Sequence, residues 1–286
     1  MAISQKELAN EQRCRLFQHS DRHHQLGRRM INRRAIAAML LAGPMMAALP
    51  GCGNILGKQY PPYRYRVTVE VETPEGLRTG SSVIEVSVSI ASKRVFGPFA
   101  DAGASARGEA VAVDLGRRGV MFALLRNAAG EDWASGAFGI AAKKVTLEES
   151  RRLPRDADID PEFDLEMQRI LALRGPHTIP RWFPADLGHP EIRSAYPMLV
   201  KFRNIANPKT VEEVDPDNLA AAFGKGVKLR RIITERTDDP VTKVIRKRLT
   251  WLDSVTGSFI KGGPTTPIDT LPLGASLNSG DFIKGL

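Results

Sequence analysis

Between residues 63 and 72 the side chains alternate without a break: Tyr63, Tyr65, Val67, Val69 and Val71 are apolar, while Arg64, Arg66, Thr68, Glu70 and Glu72 are polar. A period of two puts the first set on one face of a strand and the second on the other, a segregation that a helix cannot produce. Thr73-Pro74-Glu75-Gly76 then offers a bend preset by Pro, with a Gly that tolerates positive φ. Alternation resumes with Ile84, Val86, Val88 and Ile90 opposite Glu85, Ser87 and Ser89. The two runs read as an antiparallel hairpin with one buried face.

Residues 91–107 are rich in Ala, Gly and Ser and contain Pro98, so they read as an exposed excursion. A second hairpin follows. Residues 108–115 place Val111, Val113 and Leu115 on one side, Gly116-Arg117-Arg118-Gly119 turns the chain, and residues 120–125 are apolar on both faces, as a central strand requires. Residues 161–174 read as a helix, with Asp160 as N-cap, Pro161 at the first position and Gly175-Pro176 as the stop. Phe163, Met167, Ile170 and Leu171 form its apolar stripe. Asp158, Asp160, Glu162, Asp164 and Glu166 crowd its start; an acidic site is one reading, and complementarity to the helix dipole is the plainer one. Residues 216–223, capped by Asp215 and ended by Gly224, and residues 240–252, after Asp239, are predicted as two more helices; residues 198–202 and 227–233 are predicted strands. The fold class expected is α+β, an antiparallel sheet of two or more hairpins followed by mixed helices and strands.

Upstream, Arg33-Arg34 is followed by the uncharged, mostly apolar run 35–49 and then by Leu49-Pro50-Gly51-Cys52-Gly53. As a helix those 15 residues would reach about 22 Å, short of a hydrocarbon core of roughly 30 Å. Pro44 beside Gly43 weakens a continuous helix further. This is the layout of a cleaved export signal, its paired arginines held on the side of synthesis. At Leu49-Pro50-Gly51-Cys52 the segment resembles the lipobox of bacterial lipoproteins, from which it departs by Pro50 in place of the usual small residue. The resemblance implies cleavage between Gly51 and Cys52 and lipid attachment at Cys52. It also implies that Gly53, where a retained lipoprotein would carry Asp, directs the protein to the outer rather than the inner membrane.

The expected organisation is a disordered or untranslated extension over 1–29, an export signal over 30–51, a linker over 52–62, one α+β domain over 63–253 and an extended C-terminal strap over 254–286. Met30 is the start that would give the signal a compact basic head. From Tyr63 to Gly285 the chain is similar to uncharacterised bacterial proteins, a likeness that supplies no mechanism.

Charge follows the same division. Residues 1–34 hold eight Lys or Arg against three Asp or Glu, a net +5 of the chain's +9, and residues 35–51 hold none, so +4 remains from Cys52 onward. That excess is no argument for nucleic acid, which draws on a concentrated basic patch. It is compatible with contact to anionic lipid headgroups beneath a lipid anchor. An outward basic face of the predicted 240–252 helix, Lys243, Arg246, Lys247 and Arg248, would face such headgroups, an acidic envelope protein or plain solvent. With Cys14 and Cys52 the only cysteines, the body forms no internal disulfide and offers no Cys-based metal site; His177 and His189 are its only histidines. No cofactor or metal is expected.

Candidate chemistry concentrates in residues 177–186. His177, Arg181 and Trp182 in this Pro-rich stretch would make a ligand ledge, while Trp182 and Phe183 would serve equally as core plugs. An exported hydrolase or carbohydrate-active protein using this loop, with His177 and Asp186, is the alternative reading. No G-x-S-x-G, Walker or Rossmann pattern accompanies it, and the absence of a His/Cys-rich site together with a plain half-buried sheet favours a non-enzymatic binding or scaffolding domain of the envelope.

Overall fold

The first strand of the described residues is short, β1 (Gly57–Gln59), and pairs antiparallel with the far end of the first hairpin. The computed structural model describes residues 56–97, 101–183, 193–261 and 271–286. The export signal, Cys52 and the extension before it therefore lie outside the described residues. The stretch expected as a linker joins the domain from Gly57 onward: Tyr60 is buried, and its amide donates to the Val88 carbonyl across 3.0 Å.

The alternating segment forms β2 (Tyr63–Thr73), and its partner β3 (Gly76–Ala91) runs back in register from Thr73↔Gly76 to Tyr63↔Val86. Tyr65, Val67, Val69 and Val71 are fully buried on one face. The opposite face is a ladder of ion pairs, with Arg64 and Arg107 both donating to Glu85 at 2.7 Å. Residues 91–107, expected as an excursion, instead form a short helix, α1 (Lys93–Phe96), and most of a strand, β4 (Ala102–Glu109), that pairs with β3. Small residues hide a strand from a propensity argument. They are needed here, because a Cβ on Gly108 would sit 3.2 Å from the Ile84 Cα.

After Ala110 the chain continues as β5 (Val111–Asp114), turns through Gly116–Arg118 and returns as β6 (Val120–Ala123). The predicted second hairpin is present, but it belongs to a separate sheet. Short helices α2 (Trp133–Gly136) and α3 (Leu147–Arg152) precede the predicted helix, α4 (Pro161–Ala172), where Asp160 accepts from the amides of Glu162 and Phe163. The remaining strands are β7 (Pro176–Thr178), β8 (Leu199–Phe202), β9 (Val211–Glu213), β10 (Lys228–Arg236) and β11 (Ile283–Lys284). Among the described residues the larger sheet runs β11-β4-β3-β2-β10-β7 with β1 added on β3, and the smaller runs β5-β6-β8-β9. All pairings are antiparallel, so the fold is α+β.

The smaller sheet is buried on both faces. Met121 and Leu199 pack with Tyr65, Val67 and Ile84 of the larger sheet, while Phe122, Leu124 and Val200 pack against Trp251, Phe259, Leu277 and Phe282. This is why residues 120–125 are apolar throughout. The crossing of β5 over β3 depends on Gly80, where a Cβ would stand 2.2 Å from the Ala112 carbonyl oxygen.

Two predicted helices change. The helix expected over 216–223 begins at Leu219 as α5 (Leu219–Phe223), capped by Asn218; Asp215 accepts from the Asp217 amide in a local turn and so competes with helix extension. Residues 240–252 are irregular, apart from a single 3-10 turn at Ile245–Lys247. There the sheet captures the backbone first. The buried Glu109 carboxylate accepts from the amides of Val244 and Ile245 at 2.8 and 3.0 Å, and the Thr242 hydroxyl accepts from the Val83 amide. β-Branched residues at 241, 242, 244 and 245 offer a helix little to compete with. The strap over 254–286 is extended as expected in places, yet it belongs to the domain: Phe259, Leu277 and Phe282 are buried, and β11 pairs with β4.

Candidate ligand groove

The stretch expected as a ledge starts as a strand. β7 pairs with β10 through His177↔Thr234 and Ile233↔Thr178, so His177 sits in the sheet rather than in a loop. Its ring stands edge-on to Phe138 at 6.5 Å, and its buried Nε2 meets no hydrogen-bonding partner, nor does the hydroxyl of the facing Thr234. No base-and-nucleophile pair forms around it among the described residues. Asp186 and His189 lie outside those residues.

Beyond Ile179 the backbone at 181–183 pairs with 193–195: the Phe183 amide donates to the Arg193 carbonyl at 2.9 Å, the Ala195 amide to Arg181 at 3.2 Å, and Trp182 bridges Ser194. The Trp133 indole fixes this pair to α2 by donating to the Ala195 carbonyl at 2.9 Å. Each guanidinium nitrogen of Arg181 has a partner. Its Nε and Nη2 donate to Asp217, its Nη1 donates to the Ser194 hydroxyl at 2.6 Å, and its guanidinium lies 3.8 Å from the Trp182 ring centre and 5.3 Å from that of Tyr196. The Arg181 guanidinium, against a smaller opposing effect of burial, holds the Asp217 carboxyl below its ordinary range. Burial pushes the Tyr196 phenol up, with Arg181 pulling the other way. Arg181 and Trp182 thus stack on each other, and His177 is not part of their cluster. Of the two aromatics proposed as core plugs, Phe183 packs on the core while Trp182 keeps 46% of its surface exposed.

Next to this pair of segments is a groove of about 350 Å³ that sequence reasoning did not anticipate. Trp133, Ala137, Ile140, Ile170 and Phe183 make its apolar floor, and Asn127, Glu131, Asp132, Lys144 and Ser194 supply polar groups at its rim. Most of the rim charges already have partners: Asp132 with Lys284 at 3.0 Å, Lys144 with Glu166 at 3.3 Å, and Glu131 with the Asn127 amide group at 2.7 Å. An apolar floor with a neutralised rim suits a small apolar group or side chain and supplies no obvious acid–base couple.

The other candidates take structural roles. Asp158 accepts from the Ser92 hydroxyl and the Arg94 amide, Asp160 caps α4 and pairs with Lys93, and Asp164 pairs with Lys58 and Tyr60. Of the predicted basic face, Arg246 pairs with Asp253 and Arg248 with Asp114. Among the described residues no cluster of three or more His, Cys, Asp or Glu is arranged to hold a metal, and no helix is long and apolar enough to cross a membrane. No protein-family model, curated protein or solved structure matches the chain.

Proposed function

We propose that the chain is an exported lipoprotein, tethered to the bacterial cell envelope through Cys52, whose α+β body is a non-enzymatic binding or scaffolding domain. One observation carries this reading. The Arg-headed apolar run is too short to span a bilayer, ends in Leu49-Pro50-Gly51-Cys52, and lies only a few residues before the first strand of the body. Gly53 directs the tethered protein to the outer membrane rather than the inner. What supports binding over catalysis is that each nitrogen of Arg181 is held by Asp217 or Ser194 and that the adjoining groove has an apolar floor. Its partner in this reading is an envelope protein presenting a small apolar group.

The test is metabolic labelling of a bacterial host that expresses the full chain with a palmitate analogue, comparing wild type with Cys52→Ser. The expected result is label and membrane fractionation in the wild type, both lost in the variant, with a purified protein that starts at Cys52. An unlabelled, full-length, membrane-free wild type overturns the proposal.

A further inference from the structure

Among the described residues large apolar side chains are exposed at few places; Leu56, Val95 and Phe96 lie at β1 and the adjacent helix α1, and Leu147 lies across Lys93 of that helix in a second hollow. Leu56 is 67% exposed, Val95 46%, Phe96 49% and Leu147 68%. Leu56 and Phe96 line one shallow hollow along β1, and Leu147 lines a second together with Lys93 of the same short helix α1. The Leu56 carbonyl accepts from the Ser92 amide at 3.0 Å, which holds the two sides of the first hollow in place. Scattered exposed leucines need no explanation, whereas a grouped set marks a contact surface.

Chain length says what that surface meets. Leu56 is four residues from Cys52. Four residues reach at most roughly 14 Å even when fully extended, so a lipid on Cys52 would hold the β1 edge against the headgroup layer. The acids of this face already have partners in the protein: Asp158 in Ser92 and Arg94, Asp160 in Lys93 and the start of α4, Asp164 in Lys58 and Tyr60, Asp101 at the first hollow in the Ala102 amide, Glu162 at the second in the Ser150 hydroxyl, and the exposed Glu148 in Arg152. Arg151 and Arg155 border the second hollow and make no ion pair among the described residues, which leaves them to lipid phosphates. Burying an apolar cluster to a depth of about 5–10 Å with cations at its margin is how proteins lie on a bilayer without crossing it.

We propose that Leu56, Val95, Phe96 and Leu147 seat in the interfacial layer of the membrane that carries the Cys52 anchor, fixing the domain's orientation with the β1 edge down. The proposal rests on the lipoprotein reading above and adds to it an oriented contact in place of a free tether. The opposite end of β3 provides a control. Leu77, 47% exposed, lies thirteen residues along the strand from Ile90, which borders the Leu56 hollow, or roughly 40 Å away.

The experiment uses the full chain processed in a bacterial host, in a Cys14→Ser background, with Phe96→Cys, Leu147→Cys or Leu77→Cys carrying an environment-sensitive fluorophore. Each protein is reconstituted in vesicles of phosphatidylethanolamine and phosphatidylglycerol containing a spin-labelled lipid, and acylation of Cys52 is read on the same samples by mass. The expected result is acylated protein with quenching at 96 and 147 at least about threefold stronger than at 77. Acylated protein in which all three positions quench equally weakly overturns the docking and leaves the anchor standing. Weak quenching at 96 and 147 combined with protection that grows with protein density assigns the patch to a second copy and also overturns it. Protein that carries no acyl group overturns the anchor, and the docking with it.

Discussion

The Tyr60 hydroxyl donates to Oδ1 of Asp164 across 2.8 Å, and Lys58 pairs with the same oxygen, so one carboxylate on α4 holds both ends of the segment that leads into the first hairpin. Burial alone would push the Asp164 carboxyl up, but the Lys58 ammonium and the Tyr60 hydroxyl together keep it below its ordinary range. The Tyr60 phenol is pushed up, first by burial and then by Asp164. Tyr60→Phe deletes one charge-assisted hydrogen bond, worth about 1.5 kcal/mol. Hydrogen exchange of the β1 amides should therefore speed up by roughly tenfold while the β2 amides stay protected. Unchanged protection over residues 57–59 would show that pairing with β3 alone holds the segment.

Glu109 is expected to be the most sensitive polar position. Its buried carboxylate serves two backbone amides, and its own carbonyl accepts from the Ser82 hydroxyl at 2.8 Å. Glu109→Ala strands both amides away from water and should lower stability by about 2–4 kcal/mol, measured by urea denaturation. Glu109→Gln keeps one acceptor oxygen and should lose less than half as much. Equal losses for the two variants would point to packing rather than hydrogen bonding.

Gly80→Ala places a methyl group into backbone at the crossing of β3 and β5, where no flexible side chain can move aside. A cost of about 2–3 kcal/mol is expected, in the range of overpacked cores. Gly76→Ala, where the added Cβ meets nothing but φ is +116°, isolates the backbone contribution for comparison. A Gly80→Ala protein as stable as wild type would mean that the two sheets separate at little cost.

Acid should weaken the fold, and the sign follows from the carboxylates. Arg118, followed after a smaller opposing effect of burial by Arg117, lowers Glu75 to about 2; the Thr146 amide, followed by Arg169, lowers Glu149 to about 2. Groups whose folded values lie below their unfolded ones contribute fully above the unfolded value and lose that contribution as pH falls through the folded one. Stability should therefore be flat from pH 7 to about 5 and decline from there toward pH 2. Asp281, pushed up by burial, acts in the opposite sense and offsets part of the decline. Denaturation midpoints at stepped pH values decide the matter, and a midpoint that rises on acidification would refute this account.

At the groove, Arg181→Ala should release Asp217 toward ordinary carboxylate behaviour and uncover the Trp182 ring. Expected readouts are an upward move of the Asp217 titration by NMR, a change in tryptophan emission, and a stability loss of about 1–2 kcal/mol. An Asp217 titration that stays in place would show that the bidentate pair is not formed in solution.

How much of this was legible in the sequence depended on which signal each element carries. The β2 and β3 faces follow from strict alternation, and α4 from Asp160, Pro161 and the stripe through Met167, because in each case local pattern and tertiary packing agree. The strand β4 escaped because Ala102 to Ala106 carry too little side chain to show a period, and their pairing is dictated by β3. The predicted helix over 240–252 failed for the converse reason: of the apolar face expected there Val241, Ile245, Leu249 and Leu252 are buried, Val244 is 52% exposed, and the Glu109 carboxylate and Val83 carbonyl claim the amides of Thr242, Val244 and Ile245. At the site, proximity in sequence rightly grouped Arg181 with Trp182. It could not reveal that Asp217 and Ser194 between them engage all three guanidinium nitrogens, or that Trp133 and Ile170, far apart in the chain, share a floor.

Phe282 is the hub of the second core, with ring centres of Phe122, Phe202, Trp251 and Phe259 at 6.0, 5.8, 6.1 and 5.7 Å. A polypeptide emerging from the ribosome delivers the other four rings first and this one after them. Until residue 282 is released, those four rings meet only in the series Phe122, Phe202, Trp251, Phe259 and lack the one ring that touches them all.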